Sequence, residues 1–373
     1  MEEIIKEIKL SPIFNFSLSS KELFHSNFLF WLCKEPSTKN IVGSYFAQQL
    51  GWAHEYLELI MPERETENID LMFELVYNDQ QRKKIAIENK VKSLPYQEQL
   101  IQYAQNFSKE NTGLILLSLS KPDFIENGCF RTPDGHIWHY LSYHKMLELL
   151  DKLVSQPSIQ SYYQEIIIDY KRLILLLTTI ENNCKVENNE YFNFSANEIC
   201  TLLREKEVKL HDLYLKKKHE QFALNIFREI KKKNIRAANF GTPLKWNGVN
   251  LISVCYGMTR SEGFTDIKIN IDNKFILGVQ LQGIQYRLYA EFPNTAFDSS
   301  TTLKKLNEIG FFKFDEKTTN TVYPKKRDYN KFGSTFFYRY VRVNELKVYQ
   351  VVEIVLKDID QIFAIRENWL RAN

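Results

Sequence analysis

"NIDLMFELVYNDQQRKKIAIENK", Asn68 to Lys90, is the stretch on which the reading of this chain turns. Side chains switch faces at every residue of a strand. Ile69, Leu71, Phe73 and Leu75 therefore share one side, and Asp70, Met72 and Glu74 the other. Asn78 and Asp79 signal a turn, beyond which Ile85, Ile87, Asn89 and Val91 oppose Ala86, Glu88 and Lys90. A turn centred near Asp79 closes an antiparallel hairpin and sets Asp70 opposite Glu88. Both carboxylates then leave one sheet face, with Lys90 beside them.

The flanks supply the layers around that hairpin. Upstream, "SLSSKELFHSNFLFWLCK" predicts a helix that Ser19 or Ser20 can cap, with Leu23, Phe24, Phe28, Trp31 and Leu32 at helical spacing. Glu22 and His25 share one of its faces, and a second helix is expected in "IVGSYFAQQLGW". Downstream, Ser93 and Pro95 mark the start of a helix through "YQEQLIQYAQNF". "TGLILLSLS", from Thr112, is a continuous apolar run, the profile of a strand buried on both faces. "HIWHYLSYHKMLELLDKLV" reads as a strand and then a helix, and Ile159 to Ile180 as one or two more helices. The order describes an α/β layer whose central sheet is covered by helices.

From Ala196 the character changes, so residues 1–195 are expected as one domain and 196–373 as a separate α+β C-terminal domain. A long charged helical region to about Arg236 precedes the alternating segments "LISVCYGM", "TDIKINID", "KFILGVQLQG" and "YRLYAEF". A helix is expected at "TTLKKLNEIGFF", a strand at "TFFYRYVRV", and a final helical stretch to Leu370. Charge divides the same way: 19 Lys and Arg against 26 Asp and Glu up to Ser195, then 30 against 20 beyond it. Such asymmetry suits a polyanion held by one part and carboxylates gathered in the other.

Composition excludes several classes. At 373 residues and 44% hydrophobic, the chain is long enough for two well-developed cores and is not disordered. The five cysteines are dispersed without a C-x-x-C pair, which argues against structural zinc and fits a reducing compartment. The opening "MEEIIKEIKLSPIF" mixes charges where a secretory leader needs an apolar stretch, and "LILLLTTI" is too short to span a bilayer. The expectation is a cytoplasmic protein with no membrane contact.

Two carboxylates leaving one face repel unless a cation lies between them. A few hard oxygen ligands with room for water suit Mg2+, with Mn2+ able to substitute. Lys90 is then placed to orient a water or to meet charge in the transition state. Asp70, the long gap and Glu88-Asn89-Lys90 resemble the signature of the PD-(D/E)XK nuclease superfamily. Gln99-Leu100-Ile101-Gln102-Tyr103 is similar to the Q-x-x-x-Y helix of its RecB-like branch, and "KELFHSNFLFWL" to the opening helix of a bacterial subgroup. The likeness covers roughly Lys21 to Ile180.

The resemblance implies a restriction-endonuclease-like fold with a mixed central sheet flanked by helices. It also implies metal-dependent hydrolysis of DNA. Asp70 and Glu88 would ligate the metal with the main-chain carbonyl of Asn89, and Lys90 would assist the nucleophile. Gln99 and Tyr103 would steady Lys90 or touch the nucleic-acid backbone, while Glu22 and His25 would add ligands from the first helix. Restriction or anti-phage defence, and a homodimer that cuts both strands, are further expectations of the likeness. Ile69 stands where the family has proline, which removes stiffness and no chemistry.

Rival readings remain at this stage: a module that keeps the fold but does not cut, or a nuclease acting on RNA or structured DNA. Glu63, Glu65 and Glu67 read as a solvated acidic run, with the alternative that Glu65 approaches the metal. Lys216 to Lys218, Lys231 to Lys233 and Lys325 to Arg327 are either solvated surface or phosphate contacts. The aromatics of "TFFYRYVRV" read as sheet core rather than a base-stacking platform.

Overall fold

The computed structural model describes all residues except 12, 15–21, 53–55, 57, 92, 206–207, 234–237, 242–250, 293–297, 319–320 and 373. The chain forms two units: Met1–Asn183 with Leu202–Leu210, and Cys184–Thr201 with His211–Asn373. Ser19 and Ser20, expected as helix caps, lie outside the described residues.

The first unit is a six-stranded mixed sheet with helices around it. Helices α1 (Glu2–Leu10), α2 (Glu22–Lys34) and α3 (Lys39–Gln49) precede strands β1 (Glu58–Thr66), β2 (Ile69–Val76) and β3 (Arg82–Lys90). Helix α4 (Gln97–Ala104) crosses to β4 (Thr112–Ser118), followed by β5 (Cys129–Arg131) and β6 (Ile137–Ser142). Helices α5 (Tyr143–Val154) and α6 (Ser161–Asn182) complete it. The strand order is β1-β2-β3-β4-β6-β5, with β1 to β3 an antiparallel meander and β3, β4 and β6 parallel. Parallel pairing demands a crossover between strands, and α4 provides it.

Patterning explains the layers. β4, apolar throughout, lies between β3 and β6 and is buried along almost its whole length. On one side of the sheet Met72, Ala86, Leu114, Leu116 and Trp138 pack against Leu100 and Ala104 of α4. Trp138 fixes that helix further by donating its indole N–H to the carbonyl of Leu100 at 3.0 Å. Strand β1 was not foreseen: the acidic run at Glu63 to Glu67 falls in it and in the turn after it, and its side chains stay mostly exposed. A bulge between Ile60 and Glu63, with Met61 at φ 49°, breaks the alternation that would have betrayed the strand. Left-handed Glu67 and Asn68 (φ 54° and 64°) make the tight turn into β2.

The second unit is a seven-stranded sheet in the order β12-β13-β11-β10-β9-β8-β7. After a 3-10 turn at Phe194–Ala196, its elements are α7 (Glu198–Leu203), α8 (His211–Lys232), β7 (Ala238–Phe240), β8 (Ile252–Thr259) and β9 (Glu262–Ile271). Strands β10 (Phe275–Gln282) and β11 (Gln285–Glu291), helix α9 (Ser299–Glu308), β12 (Asn330–Phe332), β13 (Phe336–Arg342) and α10 (Val348–Ala372) follow. Pairing is antiparallel except between β7 and β8. The charged region expected as one helix thus divides into α7 and α8. Lys217 and Lys218 do not face solvent as cations on that helix would: Lys217 pairs with Glu220 and Lys218 with Glu190, all four largely buried.

Helices α8 and α10 cover one face of this sheet, where Ile267, Ile269, Leu277, Val279 and Leu288 are fully buried. Two polar contacts lie in that core. His219 Nδ1 meets Thr265 Oγ1 at 3.1 Å, and burial pulls the imidazole down to about 3. Tyr286 donates to Asp358 Oδ2 at 2.5 Å, and burial raises that carboxyl to about 6. The opposite face is different. Register places Phe336, Tyr338, Tyr340 and Arg342 of β13 beside Glu291, Tyr289, Arg287 and Gln285 of β11 on that side. The aromatics of "TFFYRYVRV" are therefore core only in part: Phe337 and Val341 are buried with the helices, while Phe336, Tyr338 and Tyr340 are half-exposed on the far side.

Candidate active site

The β2–β3 ladder runs from Val76–Arg82 to Leu71–Ile87, and one more step of the same register sets Asp70 against Glu88. There the ladder gives way to a side chain. The main-chain N–H of Asn89 donates to Asp70 Oδ2 at 2.7 Å, so the carboxylate is aimed by the backbone between the other two members. Glu88 is 2% exposed and Lys90 9%, and Lys90 Nζ lies 2.7 Å from Glu88 Oε1. A carboxylate that deep in protein must be compensated by a cation, and Lys90 is that cation. Alternation puts both on the same sheet face as Ala86, the face that packs α4.

Helix α4 brings Gln99 and Tyr103 together one turn apart. Gln99 Nε2 donates to the Tyr103 hydroxyl at 2.8 Å, and the Tyr103 ring rests against the core beneath. The pair therefore sits on the helix that covers the face of Glu88 and Lys90. Its polar ends are oriented by each other rather than by solvent.

Asn89 points the opposite way, into a buried polar chain that the sequence did not reveal. Its Nδ2 donates to Ser26 Oγ at 3.1 Å, and its Oδ1 accepts from the Tyr143 hydroxyl at 2.7 Å. Tyr143 and Tyr170 bond each other, and His25 Nδ1 lies 3.0 Å from the Tyr170 hydroxyl. Each phenol has one proton. Tyr143 spends its proton on Asn89, and the roles of the Tyr170 hydroxyl and His25 Nδ1 in their bond follow the tautomer of the imidazole. Burial, followed by Tyr170 and the Asp70 carboxylate, keeps the Tyr143 phenol well above its ordinary pKa, so the chain stays protonated. Ser26 and His25 come from α2, Tyr143 from the start of α5 and Tyr170 from α6. No local motif joins them.

The donor set fits a hard divalent cation. Asp70 and Glu88 offer carboxylate oxygens on one face, and Asn89 offers a main-chain carbonyl between Glu88 and Lys90. Among the described residues no three His, Cys, Asp or Glu side chains converge on one metal-sized point. Such a cation would keep several waters, which is the habit of Mg2+. His25 is not gathered into a three-member cluster with Asp70 and Glu88 but lies in the wall with Tyr143 and Tyr170. Glu22 begins α2, and its side chain is outside the described residues.

An antiparallel meander feeding parallel strands, with an acid on the second strand and an acid–lysine pair on the third, is the restriction-endonuclease-like arrangement. Residues 12–172 match the family model described as PD-(D/E)XK nuclease superfamily, so this segment of the chain is similar to that superfamily. Comparison with curated proteins and with solved structures gave no match. No helix among the described residues is long and apolar enough to cross a membrane.

Proposed function

We propose that the first unit hydrolyses phosphodiester bonds of DNA with the help of Mg2+, for which Mn2+ can substitute. Asp70, Glu88 and the main-chain carbonyl of Asn89 would hold the ion. When bound, it supplies positive charge to a phosphoryl oxygen and lowers the pKa of a water. The protein's own groups do the rest. The Asn89 amide orients Asp70. Glu88 fixes Lys90 in place at 2.7 Å, so this ammonium is already aligned when charge grows on the phosphate and need not reorganise. Gln99 and Tyr103, bonded to each other on the helix that covers this face, would offer a hydroxyl and an amide to the backbone of the substrate or steady Lys90.

The observation that carries this reading is the buried Glu88–Lys90 pair on the face that register shares with Asp70. A structural ion pair of that kind would gain nothing from a second carboxylate opposite it. The test is cleavage of plasmid and linear DNA by purified protein with and without Mg2+. Metal-dependent cutting by wild type and a severe loss of it in Lys90→Ala are expected. Equal cutting by both proteins would refute the assignment, and cutting of RNA alone would move the substrate. We attach to this activity a cytoplasmic setting, a role in defence against foreign DNA, and pairing of two copies to cut both strands. Analytical ultracentrifugation on DNA checks the last.

A further inference from the structure

The helix-free face of the second sheet carries an open cavity of about 480 Å3, within the size range of small-ligand sites. Its floor is polar and its wall aromatic. Tyr289 stacks on Phe336 at 4.4 Å and donates to Asp266 Oδ1 at 2.8 Å. Gly278 makes room for that ring: a Cβ there would fall 2.4 Å from Tyr289. Lys268 pairs with Glu291 at 2.8 Å and, at 3.9 Å, with Asp266, so two of the three acids that line the cavity are compensated from within, and the third, Glu262, accepts from Ser195 Oγ at 2.5 Å.

Among the described residues the guanidiniums are held without a direct ion pair. Arg287 Nη1 donates to Gln280 Oε1 at 2.6 Å and Nε to Gln285 Oε1 at 3.0 Å, neutral amides that orient it without cancelling its charge. It lies over the Tyr338 ring at 4.8 Å, and Arg260 lies over Phe332 at 5.9 Å. Burial lowers the pKa of Arg287 against the opposing pull of Tyr338, Tyr340 and the Asp266 carboxylate, with the charge of Arg260 adding a last small push downward. The pattern continues beyond the cavity. Tyr340 stacks on Tyr323 at 4.8 Å, with Lys325 and Arg342 over the Tyr323 ring at 5.6 and 5.5 Å. Among the described residues none of these four cations has a carboxylate within ion-pair distance.

Aromatic faces paired with uncompensated cations, repeated across a sheet, are what a single-stranded nucleic acid needs: rings to stack on bases and cations to meet phosphates. We infer that this face binds single-stranded nucleic acid, with one unpaired base in the cavity against Tyr338 and its neighbouring phosphates on Arg260 and Arg287. Gln280 is engaged by Arg287 and Asp266, so it is the Gln282 side chain at the cavity edge that offers an amide to the edge of that base. The strand continues over Tyr340 and Tyr323, which is why a chain and not a lone nucleotide is the fitting ligand. Duplex ends its claim at the rings, because its bases are already stacked on one another.

The inference stands apart from the hydrolytic site, and its test needs no cleavage. Full-length protein in EDTA is titrated into a fluorescein-labelled 12-nucleotide single strand and followed by anisotropy. Saturable binding is expected, weaker by roughly tenfold in Tyr338→Ala, the loss of one base–aromatic stack. Arg260→Gln with Arg342→Gln, both at exposed positions, should flatten the slope of log K against log salt by about 1.4. Absence of binding, equal binding of duplex, or binding that these variants leave unchanged would overturn it. So would displacement of the strand by free mononucleotide at the same affinity, which would assign the cavity to a small ligand. Mg2+-dependent cutting is assayed separately, so either reading can fail alone.

Discussion

The two sheets handle charge in opposite ways. In the first unit, Asp70, Glu88 and Lys90 are gathered at one corner, two of them almost wholly buried and bonded directly to each other. In the second, charges lie along β9 and β11 and in the turn before β9, interleaved with amides and rings, and Lys268 compensates Asp266 and Glu291 while Arg260 and Arg287 rest over aromatic rings. Concentration raises local field and suits bond-breaking. Dispersion over aromatic surface gives many weak contacts and suits holding a flexible strand.

The largest expected effect comes from dispersing the first cluster. Lys90→Ala should lower kcat for DNA cleavage by about 10²–10³, the usual cost of removing one preorganised charge, while leaving single-strand binding in EDTA intact. A parallel loss of both would merge the two sites into one. Asp70→Asn keeps an oxygen to accept from the Asn89 amide, so the fold should hold. It should, however, abolish the rise in Tm that Mg2+ gives wild type, a rise expected from ligand binding to the native state alone. Scanning fluorimetry with and without EDTA reads it directly.

Asn89→Leu strikes the support of the cluster rather than the cluster. It removes the acceptor of the Tyr143 hydroxyl and a donor to Ser26, which should cost about 1–3 kcal/mol in urea unfolding, with cleavage falling alongside. The second unit has a pH-sensitive counterpart on its covered face. Asp358 is raised to about 6 by burial, so its contribution is full below pH 4 and is lost as pH rises through 6. Asp358→Asn lacks this titration. Its stability relative to wild type should climb by about 2 kcal/mol between pH 4 and 7, visible as a growing Tm difference. His219, held down at about 3, moves stability the other way in both proteins and cancels in the comparison. Gln99→Ala should have the smallest effect, about 1 kcal/mol or less for one half-exposed hydrogen bond, read as a modest rise in KM.

Much of the first unit was legible because its hairpin alternates cleanly and a single turn fixes the register: Leu71 pairs with Ile87, as the turn near Asp79 demands. Strand β1 was not, since an edge strand bonds through its backbone and its side chains keep the composition of a loop. Ser26, Tyr143 and Tyr170 escaped for another reason: their bonds join residues 27 to 145 positions apart, and nothing local records such contacts. In the second unit "TFFYRYVRV" has aromatics at both parities, so alternation alone could not say which side was core. Only pairing with β11, whose Arg287 and Gln285 lie opposite Tyr340 and Arg342, decides it.

Within the triplet Glu88-Asn89-Lys90 the signature leaves the central position open, yet here its two ends have different tenants. Its N–H steers an acid at the front of the sheet, and its amide is moored to Ser26, 63 positions earlier, at the rear. A change of one atom on the back helix thus reaches the Asp70 carboxylate through a single peptide unit. The residue that the motif spells as x is, in this chain, the hinge pin between scaffold and blade.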